Sequence, residues 1–256
     1  RFVVTSASRK TANQGGHVPD ESEAEASVDL DIIGGGNNGC VLHYVENSQP
    51  LQDGDLVLVD AGCDLECYAS DITRTYAKDQ GEFADMIAAM DVLERDLVGK
   101  VRAGLDYKDL FLDSHRMIAG LLRDFGVLNV SPEDAVVCGL CWVFYPHGGG
   151  HFRGLQVPDV AGRVDNAGTA IPRPDGFPAL RLTRVLEEGN VLTIEPGLYF
   201  IDSLLDKWRA EKDAAMINWE RVEALKPYGG IRIEDDVVVQ ADGCDDLTRR
   251  AFAELG

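Results

Sequence analysis

The chain predicts an α+β fold, with strands and helices in separate blocks. Three observations carry that reading. Residues 55–60 (DLVLVD) and 68–76 (YASDITRTY) are short alternating or β-branched runs, near enough in sequence to pair. Two helical patterns follow in succession, at 82–101 and 107–125. Strand patterns return only at 191–195 (VLTIE) and 231–239 (IRIEDDVVV), whereas a wound parallel sheet alternates strand with helix throughout.

Residues 1–27 are polar and acidic with no sustained period. They read as a poorly ordered lead-in with His17 in solvent, and residues 28–256 read as one domain. Val41–Tyr44 (VLHY) reads as a short strand. DLVLVD closes on Ala61 and Gly62, and a turn centred on Leu65 and Glu66 leads into YASDITRTY. In 82–101, Met86, Met90, Leu93 and Leu97 share one helical face. In 107–125, Leu110, Leu112, Ile118, Leu121 and Leu122 supply the packing face, and Gly126 follows as a stop signal. His115 falls inside this helix and is expected to be satisfied locally. Pro172, Pro174 and Pro178 mark a loop. VLTIE and IRIE each end on an acid at a strand mouth, and the second run continues through Val237–Val239.

Composition narrows the function. With 44 acidic against 24 basic residues the net charge is −20, and no Lys/Arg cluster offsets it, which argues against nucleic-acid or anionic-membrane partners. No run approaches the roughly 20 apolar residues of a membrane span, and no secretory signal is recognisable. Cys63 and Cys67 stand C-x3-C, and Cys138 and Cys141 stand C-x2-C. The small or apolar neighbours of Cys40, Cys63, Cys138 and Cys141 suit reduced core thiols in a cytoplasmic protein better than a zinc site.

Four acids sit inside apolar strand patterns: Asp60, Asp71, Glu195 and Glu234. Acids are depleted in strands and are rarely buried unless paired or bound to a metal. The expected turn sets Asp60 opposite Asp71, a repulsive cross-strand pair unless a cation lies between them. His147 and His151 stand four apart, a spacing that on a helix builds half a metal site. Gly148, Gly149 and Gly150 between them argue against a helix. Four carboxylates and one imidazole suit two divalent ions about 3.5–4 Å apart with a bridging water or hydroxide. Mixed oxygen and nitrogen donors favour manganese, zinc, cobalt or iron over calcium.

DAG at 60–62, SDITRT at 70–75, HGGGH at 147–151, TIEPG at 193–197 and RIED at 232–235 come in this order. Together they resemble the motif blocks of the M24 metallopeptidases, the pita-bread family of aminopeptidase P, prolidase and methionine aminopeptidase. The resemblance runs from about residue 28 to 250. The segments 154–162 and 195–234 make it most similar to the bacterial Xaa-Pro dipeptidases. It implies a pita-bread fold, a curved antiparallel sheet flanked by helices, and hydrolysis of Xaa-Pro dipeptides by a metal-bridging hydroxide. It implies that Asp60, Asp71, His151, Glu195 and Glu234 ligate two metals, Mn²⁺ first, with Asp71 and Glu234 shared between them. Glu195 also takes the proton of the attacking water. His43 and His147 line the pocket and steady the substrate carbonyl, and Arg232 meets a substrate carboxylate or supports the site. A small peptide as substrate and a homodimer are further implications.

The chain departs from that pattern in three places. Pro158 stands where the family has a third pocket histidine, and proline brings neither a ring nitrogen nor a backbone N–H. Loss of one such group predicts a rate lower by about 10²–10⁴-fold. Arg153 replaces a residue that is usually apolar, adding bulk and charge beside the site. The amino-terminal domain usual in prolidases is expected to be absent. A weakened Xaa-Pro dipeptidase is therefore the leading expectation. A catalytically impaired binding module and an aminopeptidase P-like hydrolase of longer peptides are the alternatives. Phe152, Tyr199 and Trp208 are expected in the core or in loops rather than as pocket walls.

Overall fold

The computed structural model describes residues 32–65, 68–154 and 161–255. The 1–27 lead-in, Glu66, Cys67 and Pro158 lie outside them. Strands β1 (Ile32–Gly35), β2 (Val57–Ala61) and β5 (Ile72–Tyr76) form one antiparallel sheet in that order. The short pair β3 (Asp64–Leu65) and β4 (Tyr68–Ala69) extends the hairpin between β2 and β5. A second antiparallel sheet has the order β10-β9-β6, from β6 (Val191–Ile194), β9 (Asp235–Gln240) and β10 (Gly243–Asp246). Strands β7 (Gly197–Leu198) and β8 (Ile231–Arg232) pair separately. A bridge between Thr73 and Glu234 joins the two larger sheets, with the Glu234 N–H donating to the Thr73 carbonyl at 3.0 Å. The expected α+β architecture is what forms, and the seam between its sheets runs through Glu234.

Helices α1 (Glu82–Val98) and α2 (Tyr107–Asp124) form where their periods predict. Helix α1 stops three residues short of the expected end. Gly99 caps it, and Lys100 and Val101 close back in tight turns that keep Val101 buried. On α2 the core position belongs to Phe111, leaving Leu112 half-buried. Asp106 caps α2 by accepting from the Lys108 N–H at 3.0 Å. Five further helices among the described residues lack long apolar periods: α3 (Pro132–Cys138), α4 (Cys141–Phe144), α5 (Asp202–Glu211), α6 (Trp219–Leu225) and α7 (Leu247–Leu255). Ser131 at the N-cap, Pro132 in the first turn and left-handed Gly139 at the C-cap delimit α3.

Two expected strands are corrected. Val41–Tyr44 is a turn following a 3-10 helix at Gly36–Cys40, so His43 stands exposed on a loop. The 68–76 run is broken at Ser70 and Asp71, where the Ser70 side chain accepts from the Cys63 N–H at 3.0 Å. Phe152 and Trp208 are core residues, as expected. No helix among the described residues is long and apolar enough to cross a membrane.

The C-terminal helix is fastened by charge. Arg249 reaches Asp91 at 2.9 Å and Glu94 at 2.5 Å on α1, and Asp235 at 2.7 Å on β9. Arg74 meets the same Asp235 at 2.5 Å and donates to the Glu234 carbonyl at 2.8 Å. The strand that presents Glu234 is thus braced from both sides.

His115 departs from its expected local satisfaction. It is fully buried in an aromatic nest of Phe111, Tyr145, Trp142 and Phe177, and neither ring nitrogen has a hydrogen-bond partner among the described residues. Burial alone pushes its pKa down to about 3.

Candidate metal centre

The eight residues singled out from the sequence line one cavity of about 330 Å³: His43, Asp60, Asp71, His147, His151, Glu195, Arg232 and Glu234. They reach it from separate places in the fold. Asp60 lies in β2, Asp71 in the break before β5, and Glu195 directly after β6. Glu234 lies on the seam between β8 and β9.

The Asp60–Asp71 register needs correction. Asp60 pairs with Thr73, in register with Asp64 against Ala69 and Leu65 against Tyr68. A shift of two residues preserves the face, so Asp60 and Asp71 become diagonal neighbours on the same side of the sheet.

The glycine-rich segment runs beside β6 as an extended arm. Thr193 donates to the His151 carbonyl at 2.9 Å, Glu195 to that of Gly149 at 3.1 Å, and Arg153 to that of Val191 at 2.8 Å. A side chain at Gly149 would strike the Tyr145 hydroxyl, and one at Gly150 would strike the Thr193 carbonyl and the Tyr107 hydroxyl. Gly149 also has a left-handed φ of 68°. This close approach puts the His151 ring among the carboxylates.

Asp71, His151 and Glu234 form the tightest group, each offering a ligand atom within 4.8 Å of the others'. His151 Nε2 lies 3.4 Å from Asp71 Oδ2. Burial, then the charges of Asp71, Glu195 and Asp60, push the Glu234 carboxyl well above its ordinary range. Burial is also the largest cause raising Asp60 to about 6, partly offset by Arg232. Burial acts in the same sense on Asp71, but the His151 hydrogen bond and the Arg153 charge overcome it and hold Asp71 low. Carboxylates crowded at such electrostatic cost, around an imidazole, are a donor set that a divalent cation fits.

A hydrogen-bonded chain borders this group. Arg232 donates from Nη2 to Asp60 Oδ2 at 2.5 Å, from Nε to Thr73 Oγ1 at 3.1 Å and from Nη1 to the Tyr199 hydroxyl at 3.0 Å. The Tyr199 hydroxyl lies 3.0 Å from His147 Nε2, and His147 Nδ1 lies 3.4 Å from Glu195 Oε2. Burial and the nearby charges of Arg232 and Arg181 push the pKa of His147 well down, so it is neutral. The Gly149 backbone N–H also points at Nδ1, donating to it at 3.4 Å.

Sequence reasoning missed three participants. Tyr199 is core, as expected, yet its hydroxyl couples Arg232 to His147. Arg181, exposed, lines the cavity and makes no ion pair among the described residues. Asp236 accepts the Asp71 N–H at 2.9 Å and fixes the break in the strand. Only Asp236 left a sequence signal, as a further acid inside the apolar run of β9.

The curved antiparallel sheets, with acids and a histidine converging at their strand mouths, are those of a pita-bread protein with a metal-binding donor set. An alanine variant of Escherichia coli aminopeptidase P is 30% identical with a TM-score of 0.67, covering 89% of this chain and 47% of its own. Pseudomonas aeruginosa aminopeptidase PepP is also 30% identical, with a TM-score of 0.67, covering 91% and 48%. The family model of metallopeptidase family M24 matches residues 10–241, and the chain belongs to that family. An Xaa-Pro dipeptidase of Xanthomonas oryzae pv. oryzae is 53% identical over 225 residues, 87% of this chain and 51% of that protein. The chain spans about half the length of the curated relatives it matches.

Proposed function

We propose that this chain carries the catalytic centre of a metal-dependent Xaa-Pro dipeptidase that holds two divalent ions, Mn²⁺ first and Zn²⁺, Co²⁺ or Fe²⁺ as substitutes. The observation that supports this is the convergence of four carboxylates and His151 on one cavity. Asp60, Asp71, His151, Glu195 and Glu234 would hold the ions, with Asp71 and Glu234 shared. Bound there, the metals supply Lewis acidity, polarising the scissile carbonyl and acidifying an attacking water.

The protein's own groups do the rest. Glu195 receives the proton of that water and passes it toward the leaving secondary-amine nitrogen of proline. His147, engaged on Tyr199 and facing Glu195, holds that carboxylate in place. His43, exposed at the cavity wall, is left to meet the substrate carbonyl. Arg232 is committed to Asp60, Thr73 and Tyr199 and so supports the site. Arg181 is then the guanidinium available for a substrate's terminal carboxylate, and its place on the wall selects dipeptides. An Xaa-Pro bond has no N–H, so recognition rests on shape and terminal charge.

The test is proline release from a panel of Xaa-Pro dipeptides and Xaa-Pro-Yaa tripeptides, with Mn²⁺ and with chelator. Mn²⁺-dependent release from dipeptides alone is expected, faster in a Pro158→His chain run beside the parent. Preference for tripeptides would favour the aminopeptidase P-like reading. No turnover by either chain at any metal load would contradict a peptidase.

A further inference from the structure

Arg153 is the departure from the family pattern that the proposed mechanism does not use. Its side chain is 1% exposed, so its charge is barely screened by water. Nη1 lies 3.3 Å from Asp71 Oδ2 and Nε lies 3.2 Å from Asp236 Oδ1. Asp71 Oδ2 is also the oxygen that faces His151 Nε2 at 3.4 Å. The guanidinium therefore sits on the oxygen turned toward the donor group, where a cation would be met.

We propose that Arg153 is a positioning residue that competes with the divalent ion for Asp71, stabilising the metal-free site and weakening metal affinity. This rests on the metal-site reading above. A guanidinium keeps its charge at any working pH, so it cannot yield by losing a proton. It yields by moving. Among the described residues Nε and Nη2 find no hydrogen-bond acceptor of good geometry, so charge, rather than directed bonds, holds much of the group there. Asp236 offers a second anchor, and both residues line a separate cavity of about 370 Å³, which gives the side chain room to withdraw from Asp71. Metal entry would then trade the Arg153–Asp71 contact for a metal–Asp71 bond while Asp236 keeps the arginine neutralised.

The experiment is a calorimetric Mn²⁺ titration of the chelator-stripped full chain beside Arg153→Met, Arg153→Gln and Arg153→Lys, with melting curves of each with and without metal. Met preserves length and packing, Gln keeps a neutral hydrogen-bond donor, and Lys keeps the charge. Both neutral variants are expected to bind Mn²⁺ more tightly, by about 10- to 100-fold, the size of effect that groups bonded to metal ligands exert. Their metal-free forms should melt below the parent and gain more on adding Mn²⁺, while Arg153→Lys stays near the parent. A merely structural arginine would lower both melting points equally and leave affinity alone, which would overturn the inference. So would tightening by Lys as large as that by Met. If neither the parent nor the neutral variants bind Mn²⁺, the metal-site reading falls as well. If all bind alike, this inference falls alone.

Discussion

Glu195→Gln is expected to slow Mn²⁺-dependent proline release by about 10²–10⁴-fold while leaving the fold intact. Glutamine matches glutamate in size and can still face His147 Nδ1, 3.4 Å away in the parent. It lacks the negative charge that would hold a metal and the basicity that would take a proton from water. The backbone N–H of residue 195 donates to the Gly149 carbonyl, a bond the substitution does not touch. Initial rates at saturating Mn²⁺, paired with a melting curve, separate lost chemistry from lost structure. A fall of less than tenfold in a folded variant would remove Glu195 from the proposed mechanism.

His115→Leu is expected to flatten the acid limb of the stability curve. The parent holds this ring neutral, with a pKa near 3 in the folded chain. The unfolded chain protonates it near 6.5. Between those values the unfolded state binds a proton that the folded state does not, so stability falls as pH drops through that window. The full effect, reached below about pH 3, is on the order of 5 kcal/mol, and it is absent above about pH 6.5. Leucine removes from an aromatic nest two ring nitrogens that have no partner among the described residues, so at neutral pH the variant should be as stable as the parent or more so. Urea titrations of both chains at a series of pH values read the difference. Parallel acid limbs would mean that His115 finds a partner or water when protonated.

The candidate site was more legible than the fold around it. Acids inside apolar strand runs are rare enough that Asp60, Asp71, Glu195 and Glu234 stood out, and the HGGGH spacing added His147 and His151. All line one cavity. The Asp60–Asp71 register hangs on where two strands turn, and moving that point by one residue shifts the pairing by two, from Asp71 to Thr73. The apolar and aromatic letters of VLHY spell a strand around His43. The adjoining Gly36–Cys40 segment instead makes a 3-10 helix, and a turn follows. Tyr199 and Arg181 were invisible for opposite reasons. One looks like an ordinary core aromatic, and the other sits between Leu180 and Leu182 with nothing nearby in sequence to pair with. Arg153 was visible as an oddity, but its partner Asp236 lies 83 residues away, and only packing brings them together. Helices α3 to α6 are too short for their apolar faces to show a period.

The central claim is that these buried carboxylates are a metal centre. Its most direct test counts Mn²⁺ bound per chain after chelator stripping and reloading, in the parent and in Glu234→Gln. Two ions per parent chain, falling in the variant, is the result expected if Glu234 is shared between them. A parent that binds no more Mn²⁺ than the variant would contradict the claim and leave the carboxylate cluster to the two arginines that touch it.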